Sequence, residues 1–117
     1  MSKLSNTNKR VGIDVVDISR FKPFVRNRNH SFLEKVFSKN ELDYCFKYKD
    51  VSVHLAGLFV AKEAISKALG VKKYPYIDIE IRHAKDGSPE AWNNYKKLSI
   101  SVSISHTKSI AVAIAIR

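Results

Sequence analysis

Cysteine occurs once, at Cys45, so no disulfide can form within the chain and a reducing cytoplasm suits it. Inside ELDYCFKY that thiol reads as a small core residue, since nothing beside it in sequence would lower its pKa. No apolar run approaches the roughly 20 residues that span a bilayer, which speaks against a transmembrane helix. The opening MSKLSNTNKR lacks the apolar centre of a signal peptide, and residues 1–9 are expected to form a flexible arm. Acid is scarce: 11 Asp and Glu stand against 21 Lys and Arg, a formal charge of +10. Such an excess favours an anionic partner: nucleic acid, an acidic protein or a polyphosphate ligand. The basic residues are spread along the chain, with no low-complexity block to choose among these partners. Zinc-spaced Cys/His clusters, P-loops, GxGxxG and GxSxG motifs and internal repeats are also missing. The 117 residues read as a single domain with a modest core.

What is present is organised around LAGLFVAKEAISKALG, Leu55 to Gly70, which is rich in helix formers and closed by a capping glycine. Leu55, Leu58, Phe59, Ile65 and Leu69 form one apolar stripe at helical spacing, with Lys62 in its middle. A lysine placed there must snorkel, pair with an anion or meet a ligand. Glu63 and Lys67 lie beside the stripe one turn apart, the spacing of an ordinary surface ion pair. Before this helix, VGIDVVDI reads as a strand in which Asp14 points away from the more apolar Val11, Ile13 and Val15. An aspartate in such a strand needs solvent, a partner or a metal. SRFKPFVRNR suggests a helix with Pro23 in its first turn and Phe21, Phe24 and Val25 inward. Two capping boxes, Ser31-x-x-Glu34 and Ser38-x-x-Glu41, predict short helices, and Lys49, Asp50 and Ser52 a turn.

Beyond Gly70, VKKYP reads as a linker and YIDIEIR as a strand with Ile77, Ile79 and Ile81 on one face. KDGSP is a turn, and EAWNNYKK fits either a loop or one helical turn. LSISVSIS and IAVAIAIR form a hairpin whose turn carries His106, Thr107 and Lys108. The last strand is apolar on both faces, isoleucine and valine on one and alanine on the other, so both need cover. The alanine side predicts close approach by a helix or another subunit. The fold class is α+β: an N-terminal strand, several helices including a long central one, and C-terminal antiparallel strands.

Asp14 and Glu63 are two hard oxygen donors in restrictive settings, without soft ligands nearby in sequence. Such a pair suits Mg²⁺, whose shell is completed by water and phosphate oxygens. Lysines and a histidine turn would then suit a phosphate-bearing substrate.

These residues stand in three ordered motifs. They are G-x-D-x-V-[DE]-x-x-R from Gly12 to Arg20, F-x-A-K-E-A-x-x-K-A-L-G from Phe59 to Gly70, and S-[IV]-S-H-[ST] from Ser103 to Thr107. With FSKNEL before the central helix and IEI…DGSP after it, the chain resembles the 4′-phosphopantetheinyl transferases from about residue 11 to residue 116. The resemblance implies transfer of phosphopantetheine from coenzyme A to a serine of apo acyl carrier protein in the cytoplasm. The released product would be adenosine 3′,5′-bisphosphate, and the modification serves fatty acid biosynthesis and lipid metabolism. It implies Mg²⁺, or Mn²⁺ in its place, on Asp14 and Glu63, and catalytic roles for Glu63, Lys67 and His106. It further implies contacts of Lys62, Lys67 and His106 with coenzyme A, and of Arg20 and Arg28 with the acidic carrier protein. His106 would come from the neighbouring subunit of a homotrimer. The base could be Glu63, a metal-bound water or His106. Leu58 departs from the family, in which many members carry arginine there. A basic nucleic-acid-binding module is the rival from another class, but the strands alternate isoleucine with Ser, Asp and Glu instead of presenting aromatics among basic residues. An inactive relative is the third reading, opposed by the intact Asp14, Glu63, Lys67 and His106. Neither nucleic acid nor membrane is expected as a partner.

Overall fold

The computed structural model describes residues 9–71 and 76–117. Most of the expected arm and of the VKKYP linker therefore lies outside the described residues. The central helix, α3 (Val51–Leu69), is 19 residues long, or roughly 28 Å at 1.5 Å per residue. It begins one turn before Leu55: Asp50 precedes its first residue, and Ser52 lies inside the helix, donating to Asp50 Oδ1 at 3.1 Å. It ends where Gly70 adopts φ 76°, a left-handed conformation that costs glycine little. Its burial is not confined to the expected stripe, for Ala56, Val60, Ala61, Ala64 and Ala68 are buried as well. A helix with small residues on its other faces can be packed from several sides, and α3 is.

One of those sides is an antiparallel sheet formed by β1 (Val11–Asp17), β5 (Ser101–His106) and β6 (Ile110–Ile116), in the order β1-β6-β5. Asp14 pairs in register with Ala113, and Ile104 flanks the same alanine on the other edge. Ala111, Ala113 and Ala115 are buried and face α3, so the close approach predicted for the alanine side is made by a helix. Gly12 is required by that approach, since a Cβ there would lie 1.9 Å from the Ala64 carbonyl oxygen. The side of β1 that looks more apolar in sequence is the outer one: Val11, Ile13 and Val15 are 61%, 57% and 57% exposed. Asp14 shares the inner face with Gly12 and Val16, and is half-buried although β1 is an edge strand.

The remaining elements cover the other sides of α3. Ile18–Phe24 forms a 3-10 turn with Phe21 buried and Pro23 near its end, where a helix with Pro23 in its first turn was expected. Helix α1 (Ser31–Val36) is capped by His30, whose Nδ1 accepts from the Phe32 amide at 3.1 Å, so its cap is not Ser31. Helix α2 (Lys39–Phe46) has the predicted box in full, with Ser38 and Glu41 each accepting from the other's backbone amide. Cys45 is buried on α2, and burial pushes its thiol up, as suits a core residue. Residues Tyr76–Asp78 form a 3-10 turn instead of strand, leaving Ile77 exposed while Ile79 and Ile81 are buried. A second antiparallel sheet follows, β2 (Glu80–His83), β3 (Pro89–Asn93) and β4 (Lys96–Lys97). EAWNNYKK thus supplies two strands and the tight turn at Asn94 between them, neither a loop nor a helical turn. No helix among the described residues is long and apolar enough to cross a membrane.

Candidate active site

β1 and α3 meet along the Gly12 contact, which brings the carboxylate of Asp14 beside the last two turns of the helix. Lys67 donates to the Ile13 carbonyl at 2.8 Å and to Asp14 Oδ1 at 3.3 Å. It reaches the strand, whereas i,i+4 spacing had offered Glu63 as its partner. Glu63, one turn earlier on the same side of α3, accepts through Oε1 a hydrogen bond from the Tyr76 hydroxyl. Burial foremost, and then the hydrogen bond and charge of Glu63, push the Tyr76 phenol up to about 12. Arg20 and Asp14 also act on that phenol, in opposite directions, so all four groups belong to one electrostatic neighbourhood. Arg20 lies over the Phe59 ring at 5.2 Å, and Phe59 packs on Tyr76 at 5.6 Å between centroids.

Asp14 and Glu63 are suited to a divalent cation by their donor chemistry. Both carboxylates are half-buried, and one oxygen of each, Oδ2 and Oε2, takes no hydrogen bond among the described residues. No group of three or more His, Cys, Asp and Glu converges anywhere among the described residues. A cation here would take at most two protein carboxylates and complete its shell with water or phosphate oxygens, the habit of Mg²⁺. Lys67, about half exposed, adds a positive charge beside Asp14.

Two other expected site residues lie elsewhere. Lys62, expected to contact coenzyme A, is instead saturated inside the protein. Its ammonium donates to Glu41 Oε1 at 2.6 Å, the Val36 carbonyl at 2.7 Å and the Tyr76 carbonyl at 3.0 Å. With its three donors used and 1% of its side chain exposed, it has nothing left for a ligand. Of the three fates open to a lysine in that stripe, pairing with an anion is the one realised. His106 is the last residue of β5 rather than part of the turn, and its Nδ1 lies 3.1 Å from the Thr107 carbonyl. It pairs with Ala111, which pairs with Val16. Two strand spacings, about 10 Å, therefore separate it from β1. Within one chain it lines a separate cavity of about 280 Å³ with Tyr44, His54, Leu58 and His83. Arg20 stands at the rim of the carboxylate cluster, whereas Arg28 is engaged with Asp43 and lies over the Phe46 ring at 5.7 Å.

Tyr76 was missed in sequence, where it reads as the first residue of a strand. Its hydroxyl reaches Glu63 only because the Tyr76–Asp78 turn packs against α3 in the fold, and no periodicity signals that. His83 and Tyr44, stacked at 4.1 Å, were missed for the same reason, since α2 and β2 meet only in the fold.

Known proteins are similar to this chain in sequence and in fold. A holo-[acyl-carrier-protein] synthase of Caldanaerobacter subterraneus subsp. tengcongensis is 38% identical over 117 residues, covering 91% of each chain. Another, from Caldicellulosiruptor bescii, is 41% identical over 116 residues, covering 91% of this chain and 94% of its own. Among solved structures, a Bacillus anthracis holo-(acyl-carrier-protein) synthase in complex with CoA (3′,5′-ADP) superposes with a TM-score of 0.77 at 31% identity, covering 92% of this chain and 93% of its own. The Helicobacter pylori holo-[acyl-carrier-protein] synthase in complex with coenzyme A gives 0.76 at 35%, covering 90% and 96%. The sequence profile of the 4′-phosphopantetheinyl transferase superfamily matches residues 10–115, from the residue before β1 almost to the end of β6, and the chain belongs to that superfamily.

Proposed function

We propose that this protein is a holo-[acyl-carrier-protein] synthase, a single-domain transferase that moves 4′-phosphopantetheine from coenzyme A to a serine of apo acyl carrier protein. The observation that carries this reading is the convergence of Asp14, Glu63 and Lys67 at the β1–α3 contact, in a chain of this superfamily. In the reaction the serine Oγ bonds to the phosphorus that bears pantetheine, the bridging P–O bond breaks, and adenosine 3′,5′-bisphosphate leaves. Such a transfer asks the protein for in-line positioning and charge stabilisation more than for covalent chemistry. Asp14 and Glu63 would hold Mg²⁺, or Mn²⁺, which would supply electrostatic stabilisation of the charge that develops during transfer. Lys67 neutralises phosphate charge from the open side of the cluster. Glu63 or His106 receives the serine proton. Arg20 and Arg28, in a chain of formal charge +10, offer an acidic carrier protein a complementary surface.

His106 lies too far across the sheet to serve the carboxylates of its own chain. This favours a homotrimer in which His106 serves a neighbour. The exposed Val11, Ile13 and Val15, continuous with Ile110, Ile114 and Ile116 on β6, form the apolar face that such an assembly would bury. The setting is the cytoplasm, where the product supports fatty acid synthesis. Mass spectrometry of an apo carrier protein incubated with this protein, coenzyme A and Mg²⁺ should show the gain of one phosphopantetheine. An unmodified carrier protein after prolonged incubation would refute the assignment.

A further inference from the structure

Lys62 and Glu63 are consecutive in α3, yet they grip the same distant residue from two sides. Lys62 donates to the backbone carbonyl of Tyr76 at 3.0 Å, and Glu63 accepts from its hydroxyl. The lysine is itself immobile, since Glu41 Oε1 and the Val36 carbonyl take its other protons. Glu41 reaches past it: Oε2 accepts from the Ile81 amide at 2.7 Å, so the segment from Tyr76 to Ile81 is tied at both ends to one buried ion pair. Ile79 also donates to the Tyr76 carbonyl, at 3.3 Å, which closes the 3-10 turn under the ring. The ring is further confined by Phe59, which in turn packs on Phe21 at 5.4 Å. Tyr76 is therefore held by backbone, ring and hydroxyl, and only the hydroxyl faces the carboxylate cluster.

We infer that Tyr76 is a positioning residue for Glu63: the Glu41–Lys62 pair fixes its backbone from inside the core, and its hydroxyl fixes one carboxylate oxygen so that the other is presented to a divalent cation. Carboxylates that bind metal are commonly held by such an outer partner, whose loss costs metal affinity or activity about 10–100-fold. One feature favours this role over a merely structural one: the bond spends the hydroxyl on the one carboxylate of α3, which faces Asp14's neighbourhood, when the buried pair beneath is already satisfied.

The inference rests on the proposed transferase reading, and the test separates the two. Tyr76→Phe keeps the ring on Phe59 and the carbonyl for Lys62, and removes only the hydroxyl. Mn²⁺ binding to the whole protein, followed by loss of the free-ion EPR signal, should weaken about tenfold in the variant. The kcat for carrier-protein modification should fall at least about tenfold, with KM for coenzyme A within about twofold, because orientation rather than substrate binding is lost. The melting temperature should stay within about 2 °C. Mn²⁺ affinity and kcat both within twofold of the parent would overturn the inference, as would losses that track a large fall in melting temperature. If the parent itself modifies no carrier protein but its Mn²⁺ affinity still depends on the Tyr76 hydroxyl, the transferase reading falls and the positioning role stands.

Discussion

Helix α3 carries two lysines that reach carboxylates on other elements, and the two pairs live in opposite surroundings. Lys62 and Glu41 are 1% and 0% exposed and 2.6 Å apart, and every polar contact around them is to the protein. Lys67 and Asp14 are 54% and 22% exposed and 3.3 Å apart. Burial pushes Glu41 up and Lys62 down, each opposed by the other's charge, so the pair holds only while both partners are present. Removal from water turns the first pair into a fastener for α1, α2, α3 and β2. Partial access leaves the second pair open to water and to solutes. The same residue types on one helix thus serve architecture or chemistry according to what excludes water from them.

The sharpest way to break this contrast is to remove each lysine in turn. Lys62→Met strands the Glu41 carboxylate in the core and should cost about 3–5 kcal/mol. Lys67→Met removes an exposed pair and should cost at most about 1 kcal/mol. Urea denaturation of both variants checks the pair, and a Lys62→Met loss no larger than that of Lys67→Met would erase the distinction. The double variant Lys62→Met/Glu41→Leu should recover only part, because the Ser38 and Ile81 amides would lose their acceptor.

Glu63→Gln addresses the chemical side. It keeps the shape and an acceptor for Tyr76 but removes the charge, so kcat should drop on the order of 10²-fold. Stability should move by no more than about 0.5 kcal/mol, as for other substitutions outside the core. Near-normal turnover in steady-state assays would remove Glu63 from the site.

A smaller effect tests the intermediate case of a half-buried titratable ring. His83 is stacked on Tyr44, and burial, then the charges of Lys47 and His54, hold its pKa below the usual 6.5. The unfolded chain therefore takes up this proton first as pH falls. The neutral ring contributes stability above pH 6.5, and that stability is lost downward from 6.5 until the folded ring also protonates. His83→Gln should flatten the fall of the melting temperature below pH 6.5 relative to the parent. Parallel curves for the two proteins would show that His83 is not held in this way.

Much of this was readable from local order. The Ser38 box, the Gly70 stop and the alternation of β1, β5 and β6 all depend on neighbours within one or two turns, where backbone geometry dictates which side chains share a face. The alternation did not say which face of β1 is inside, because the most apolar face is outward and Gly12 marks the inner one. Tertiary structure alone decided the partners. Lys62 meets Glu41 across 21 residues, Tyr76 meets Glu63 across 13, and Lys67 meets Asp14 across 53. Periodicity assigns a charged side chain to a face, but its role depends on the dielectric and the counter-charge that the rest of the fold brings to that face, and those are set by packing between elements distant in the chain.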